Sequence, residues 1–220
     1  MTVKFCFELP TMRADQPSEF ISGPAIAELA AAGEAAGYSG CFVTDHPAGD
    51  ANWLDHGGHH ALDPFVALSF AAAATTTLRL LTNVYVAAYR NPFLSAKSVL
   101  SIDLLSGGRF ILGTAAGYLK AEYRALGVDF DERGALLDEA IEVMKACWTG
   151  DDVAYEGKHF SARGVRMLPR PIAQPHPPIW IGGNTKIAIR RAVTLGQGWA
   201  PFVTFEYAKT SRTASIDSIE

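Results

Sequence analysis

Several short stretches of this chain carry residue types that exchange protons or hold phosphate. Asp45 and His46 follow the apolar run Cys41-Phe42-Val43 after a single threonine. An imidazole gives or takes a proton near neutral pH, and a neighbouring carboxylate orients it or bonds a ring nitrogen, so this pair is the catalytic candidate. A helix N-cap is the plainer use of the aspartate. Gly113-Thr114-Ala115-Ala116-Gly117-Tyr118 and Gly182-Gly183-Asn184-Thr185 leave apolar runs through small residues, the second straight into a helical pattern. Small residues admit close backbone approach and a helix N-terminus favours phosphate, although glycine at such turns is also ordinary turn chemistry. His56, His59 and His60 share one glycine-containing loop, and with His46 they offer enough imidazoles for a metal. A flexible loop is poorly suited to fix three ligands, so no metal site is assigned. Arg90 suits an anionic substrate or cofactor tail, or the open surface. Arg109, placed after Gly107-Gly108, is expected to pair with a carboxylate at the far end of its strand.

The elements that position these residues alternate in type. Val3 to Leu9 reads as a strand, Ile26 to Ala36 as a helix stopped by Gly37, and Cys41 to Val43 as a second strand. Pro64 to Ala74 reads as helix, Leu78 to Tyr85 as strand, Pro92 to Leu105 as helix and Phe110 to Thr114 as strand. A longer helical region follows Gly117, strongest from Arg133 to Trp148, where Leu136, Leu137, Ala140, Ile141, Met144 and Cys147 form one stripe. Asp151 to Phe160 reads as a hairpin turning at Glu156-Gly157, and the proline-rich Pro169 to Pro178 as extended chain. Ile179 to Ile181, Thr185 to Leu195 and Gly198 to Phe202 complete the order as strand, helix and strand, ahead of a polar, helix-like tail at Tyr207 to Glu220.

Strands of this kind, short and uniformly apolar, belong to a parallel sheet covered by helices. Such a sheet carries its chemistry at the C-terminal strand ends, where Asp45 and His46 would stand. The rhythm fits a (β/α)8 TIM-type barrel that is incomplete: about six βα units in one domain over residues 1–220, against the ~250 residues usual for eight. A doubly wound sheet competes, but the first strand is not followed by GxGxxG.

At 220 residues and 49% hydrophobic, the chain can bury a sizeable core. A net charge of −4 leaves no basic footprint for nucleic acid, and no apolar run is long enough to span a bilayer. Residues 1–10 carry one lysine and run straight into a strand, so no targeting segment is expected and the cytoplasm is the expected compartment. Cys6, Cys41 and Cys147 lack ligand spacing and read as reduced thiols packed as small hydrophobes.

The order of motifs resembles the luciferase-like monooxygenase superfamily of flavin- and deazaflavin (F420)-dependent oxidoreductases, its F420 branch most of all. The resemblance runs through Gly37-Tyr38, Val43-Thr44-Asp45-His46, Thr82-Asn83-Val84, Arg90-Asn91-Pro92, Leu104 to Arg109, Leu112-Gly113, Gly117-Tyr118, Arg133-Gly134, Asp138-Glu139, Pro178 to Gly183 and Gly198-Trp199, over roughly residues 1–202. It implies that Asp45 and His46 meet the deazaflavin ring and that Asn83-Val84 forms a non-prolyl cis peptide bulging against its back face. It also implies that Ala115, Ala116, Gly117 and Tyr118, with Gly182, Gly183 and Asn184, line the cofactor site and cradle its phosphate and ribityl chain. Tyr118 stands where relatives vary between an aromatic residue and a catalytic carboxylate, which argues against a sugar-phosphate dehydrogenase.

The activity so implied is F420-dependent hydride transfer to or from a small organic substrate. The alternatives are an FMN-dependent monooxygenase fed by a partner reductase, a non-catalytic flavin-binding relative, and a metal-dependent barrel hydrolase using the histidine loop. With two strands missing, the first and sixth would expose edges, so the sequence is expected to be a fragment or to be covered by a second chain, as in a homodimer.

Overall fold

A computed structural model describes residues 3–202; the polar tail from Tyr207 lies outside them. Eight strands and eight α-helices are described: β1 Cys6–Glu8, α1 Pro17–Phe20, α2 Gly23–Ala35, β2 Gly40–Val43, α3 Ala51–Asp55, α4 Pro64–Ala74, β3 Arg79–Thr82, α5 Pro92–Leu105, β4 Phe110–Thr114, α6 Lys120–Ala125, α7 Arg133–Thr149, β5 Val153–Glu156, β6 Ser161–Val165, β7 Ile179–Gly182, α8 Lys186–Leu195 and β8 Gly198–Ala200. A short 3₁₀ turn, Ala87–Tyr89, precedes α5.

The turns into the helices are written in cap-and-proline pairs. The Asp63 carboxylate accepts from the N–H groups of Phe65 and Val66, and Pro64 follows where no donor is needed. Asn91 and Pro92 repeat the device at α5, where Asn91 accepts from the Phe93 N–H at 3.0 Å. Thr185 caps α8 through the Ala188 N–H. At the other end of α5, Gly107 and Gly108 adopt φ of +69° and +80°, a left-handed turn closed to residues with a Cβ except at a cost.

Six parallel strands form one sheet in the order β1-β2-β3-β4-β7-β8. Each strand lies beside its predecessor, so the order never reverses as a doubly wound sheet must. Consecutive helices pack on one another, α2 on α4, α4 on α5 and α5 on α7, and cover the same side. The result is a curled half-barrel. Its core holds Leu80, Leu112, Ile179 and Ile181 of the strands against Val99, Leu100, Leu137, Ile141 and Met144 of the helices. Trp148 is fully buried and donates from its indole N–H to the Ala96 carbonyl, tying α7 to α5 at 2.9 Å. Among the described residues, no helix is long and apolar enough to cross a membrane.

Three expectations are corrected. β3 is continuous to Thr82, the Asn83–Val84 peptide is cis, and Tyr85 rejoins β4 as a single parallel bridge to Thr114 before the chain turns into Ala87–Tyr89. The hairpin lies further along, with its connection at residues 157–160, because Glu139 of α7 accepts from the N–H groups of Lys158, His159 and Phe160 and so holds the connection open. Arg109, at the N-terminal start of β4, makes no ion pair with a carboxylate among the described residues. Its guanidinium donates to the carbonyls of Ser106, Leu78 and Ala72 and to the Thr75 hydroxyl, gathering the end of α4 and both strand entries.

Candidate functional site

β2, β3, β4 and β7 run parallel, so their exits share one end of the sheet, and this end carries the candidate residues. Asp45, just beyond β2, is 3% exposed. Its carboxylate accepts a bidentate pair from Arg90, at 2.6 and 2.8 Å, and the Val86 N–H at 3.0 Å. The Arg90 guanidinium also stacks over the Tyr85 ring, 4.5 Å from its centroid. Burial works against the Arg90 charge, and the Asp45 carboxylate more than offsets it, so the Arg90 pKa is raised. Arg90 therefore neither stands on the open surface nor offers a free fork to an anion; it locks Asp45. A recess of ≈ 210 Å³ opens beside the pair, lined by Asp45, Pro47, Ala61, Leu62, Asp63 and Arg90.

His46 points into a cluster of rings. Trp53 of α3 lies 4.5 Å away, His59 4.8 Å and Tyr118 6.2 Å, centroid to centroid. Asp50 caps α3 by accepting from the Trp53 N–H, which sets that indole over the imidazole. Burial lowers the His59 pKa and favours the neutral ring. The histidine loop otherwise bonds locally, His56 to the Asn52 carbonyl and His59 to that of His60. Among the described residues, no group of three His, Cys, Asp or Glu side chains is placed to hold a metal ion.

Asn83 and Val84 are partly exposed, whereas Thr82 beneath them is sealed and donates its hydroxyl to the Gly113 carbonyl. Thr114 does the same for the Tyr85 carbonyl. Ala115, Ala116 and Gly117 are also partly exposed, and Gly117 has φ +70°; a Cβ there would fall 2.8 Å from Val86 Cγ1. Val84 reaches across β4, so that a Cβ at Gly182 would fall 2.8 Å from Val84 Cγ1. The four exits thus form a connected surface. Gly183, with φ +115°, opens the turn into α8. Asn184 is buried and its carboxamide clamps the backbone of Phe202, donating to the carbonyl and accepting from the N–H. Its side chain holds the β8 exit against the double-glycine turn.

Two residues of the site escape sequence reading. Glu122 of α6 is fully buried and lies under His46, and Tyr89 donates to it at 2.7 Å. Burial works to raise the Glu122 pKa, but the bonds from His46, Tyr89 and the Ala48 N–H outweigh it and leave the carboxyl below its ordinary value. The one available signal was position: α6 follows the β4 exit and lies close to the mouth.

A curled parallel half-barrel with a polar cluster and small-residue turns at its C-terminal strand ends defines a barrel-type class whose chemistry lies at that mouth. The chain belongs to the luciferase-like monooxygenase family, whose model matches residues 4–216. It is 34% identical over 185 residues to an uncharacterised protein of Mycobacterium tuberculosis, covering 78% of this chain and 62% of that one. It is 32% identical over 119 residues to an FMNH(2)-dependent dimethylsulfone monooxygenase of Pseudomonas putida, covering 53% of this chain and 32% of the relative. Among solved structures, an F420-dependent secondary alcohol dehydrogenase in complex with an F420-acetone adduct superposes with a TM-score of 0.77 at 19% identity, over 93% of this chain and 59% of that one, a likeness of fold. The chain spans about three-fifths of the length of the first of these relatives.

Proposed function

We propose that this chain carries the cofactor face of an F420-dependent oxidoreductase acting on a small organic substrate. The observation that supports the reading is the convergence of Asp45-His46, Asn83-Val84, Ala115 to Tyr118 and Gly182-Gly183 at one end of one sheet. The mouth also fits a planar ring with a phosphorylated tail: its floor is made of small, partly exposed residues over two sealed threonines, and α8 begins at its edge.

A deazaflavin held there would bring hydride-transfer chemistry, and the protein would supply orientation and proton control. Asp45, held by Arg90 and the Val86 N–H, is a fixed acceptor that orients a ring N–H or substrate hydroxyl. His46 would give or take a proton at the bound substrate, and the rings of Trp53, His59 and Tyr118 would shield it from water. Val84 and Asn83 would buttress the ring, and the Gly182-Gly183 turn with the α8 N-terminus would hold phosphate. The partners of this reading are the substrate, a second copy of the chain, and a reductase of F420 or flavin.

A second reading, FMN-dependent monooxygenation, is favoured by the 32% identity to an FMNH(2)-dependent enzyme. Titration of the chain with oxidised and reduced F420 and with oxidised and reduced FMN, followed by absorbance and fluorescence, separates the two. Saturable binding of F420 alone is expected. Binding of FMN alone establishes the second reading, and binding of neither sinks both.

A further inference from the structure

Glu122 is a buried carboxylate with no lysine or arginine partner among the described residues. It is 0% exposed, and among the described residues the basic side chain within reach of it is His46, Nδ1 to Oε2 at 3.4 Å. Tyr89 Oη donates to the same oxygen at 2.7 Å, and the Ala48 N–H donates to Oε1 at 3.3 Å. One carboxyl therefore grips both the ring of His46 and the backbone two residues beyond it, and joins the exits of β2, β3 and β4.

The arrangement is held from several sides. Tyr123, next to Glu122, donates its hydroxyl to the Ala116 carbonyl and fixes the start of α6 against the β4 exit. Tyr89 Oη lies 3.3 Å from where a Cβ of Gly117 would be, so the glycine leaves the room in which Tyr89 reaches Glu122. Of the remaining neighbours of His46, Trp53 carries no charge, His59 is kept toward its neutral form by burial, and Tyr118 is raised by burial and then by Glu122. Asp45, the adjacent residue, is engaged by Arg90.

An ionised carboxylate only accepts, so the imidazole nitrogen that faces it must donate. We propose that Glu122 is a positioning residue that holds the His46 proton on Nδ1 and leaves Nε2 as a proton acceptor toward the mouth. The proposal deepens the redox reading and rests on it for the use made of Nε2, while the tautomer is a property of the chain by itself.

The test uses the chain labelled with 15N-histidine, with His46 assigned by its loss in His46→Gln. Long-range 1H–15N spectra of the neutral ring are expected to show pyrrole-type Nδ1 and pyridine-type Nε2. Glu122→Gln is expected to shift the tautomer ratio about tenfold toward Nε2–H, the loss of a charge-assisted bond, and Tyr89→Phe, which leaves the carboxylate in place, is expected to keep Nδ1–H dominant. If Glu122→Gln does not fold, Glu122→Asp decides, since it withdraws the charge by one methylene and should move the ratio the same way. A wild-type ring protonated at Nε2, or a ratio unmoved in the Glu122 variant that folds, overturns the proposal. Failure to bind F420 and FMN with the Nδ1–H tautomer intact would sink the redox reading and leave the positioning role standing.

Discussion

Val84 and Gly182 meet across the strand between them: the space a Cβ of Gly182 would take lies 2.8 Å from Val84 Cγ1 and 3.4 Å from the Phe202 ring. A β-branched side chain has little freedom to turn away. Gly182→Ala is therefore an overpacking change, expected to cost about 1–3 kcal/mol in urea unfolding and to weaken cofactor binding by moving Val84. Gly113→Ala is the harsher comparison. Its Cβ would fall 2.0 Å from the Thr82 carbonyl oxygen, which is backbone and cannot rotate aside. The order of loss, Gly113→Ala well beyond Gly182→Ala, is checked by denaturation midpoints; equal midpoints would refute it.

Asp45 and Arg90 give the second prediction. The carboxylate is 3% exposed and the Arg90 side chain 24%, so removing the guanidinium strands a charge in a poorly solvated place. Arg90→Met is expected to cost about 3 kcal/mol, near the low end for breaking a buried pair because the arginine keeps some contact with water. Arg90→Lys retains the charge but not the two-pronged geometry nor the stacking on Tyr85, and is expected to recover only part of the loss. Unfolding curves of the two variants beside Asp45→Asn check this. Full recovery by lysine would show that the fork geometry does not matter.

The parts of this molecule written in local chemistry were legible. Asp63-Pro64 and Asn91-Pro92 announce helices because cap and proline act within one turn, and the structure begins α4 and α5 at those prolines. Alternation of apolar runs with helical stripes yielded the six parallel strands and, with them, the end of the sheet that carries Asp45 and His46. What stayed hidden depends on distant partners. Glu122 lies 76 residues from His46, and nothing in Lys120 to Tyr123 says that the carboxylate turns inward. Arg90 read as a surface or ligand residue because its partner, Asp45, sits 45 residues earlier. The hairpin connection depends on a distant partner in the same way: Glu139, on α7, decides where it turns.

Arg109 supplies a prediction remote from the mouth. Its guanidinium serves three carbonyls and a hydroxyl at the N-terminal end of the sheet, and burial lowers its pKa because it sits partly out of water. Arg109→Met leaves those acceptors short of donors and is expected to cost about 2 kcal/mol or more, the range for unpaired buried polar groups. Affinity for F420 or FMN, measured below the new midpoint, should stay within about twofold, since the opposite end of a barrel serves stability. A large loss of affinity in a folded variant would contradict that division.

Glu34, near the end of α2, accepts from the backbone N–H groups of Thr77, Leu78 and Thr76 and from the Thr77 hydroxyl, and so fastens the α4–β3 connection. The donation from Thr77 contributes most, and together these bonds pull the carboxyl from its ordinary 4.5 to about 2. The unfolded chain, lacking these donors, takes up its proton first as the pH falls. The stability Glu34 contributes is therefore complete above 4.5 and is lost as the pH drops toward 2. Glu34→Gln has no such proton to bind. Wild type should exceed it in urea midpoint at neutral pH by a constant margin, and the margin should narrow steadily as the pH falls below about 4.5. A margin that stays the same at pH 3 would mean that ionisation of Glu34 has no part in holding this connection.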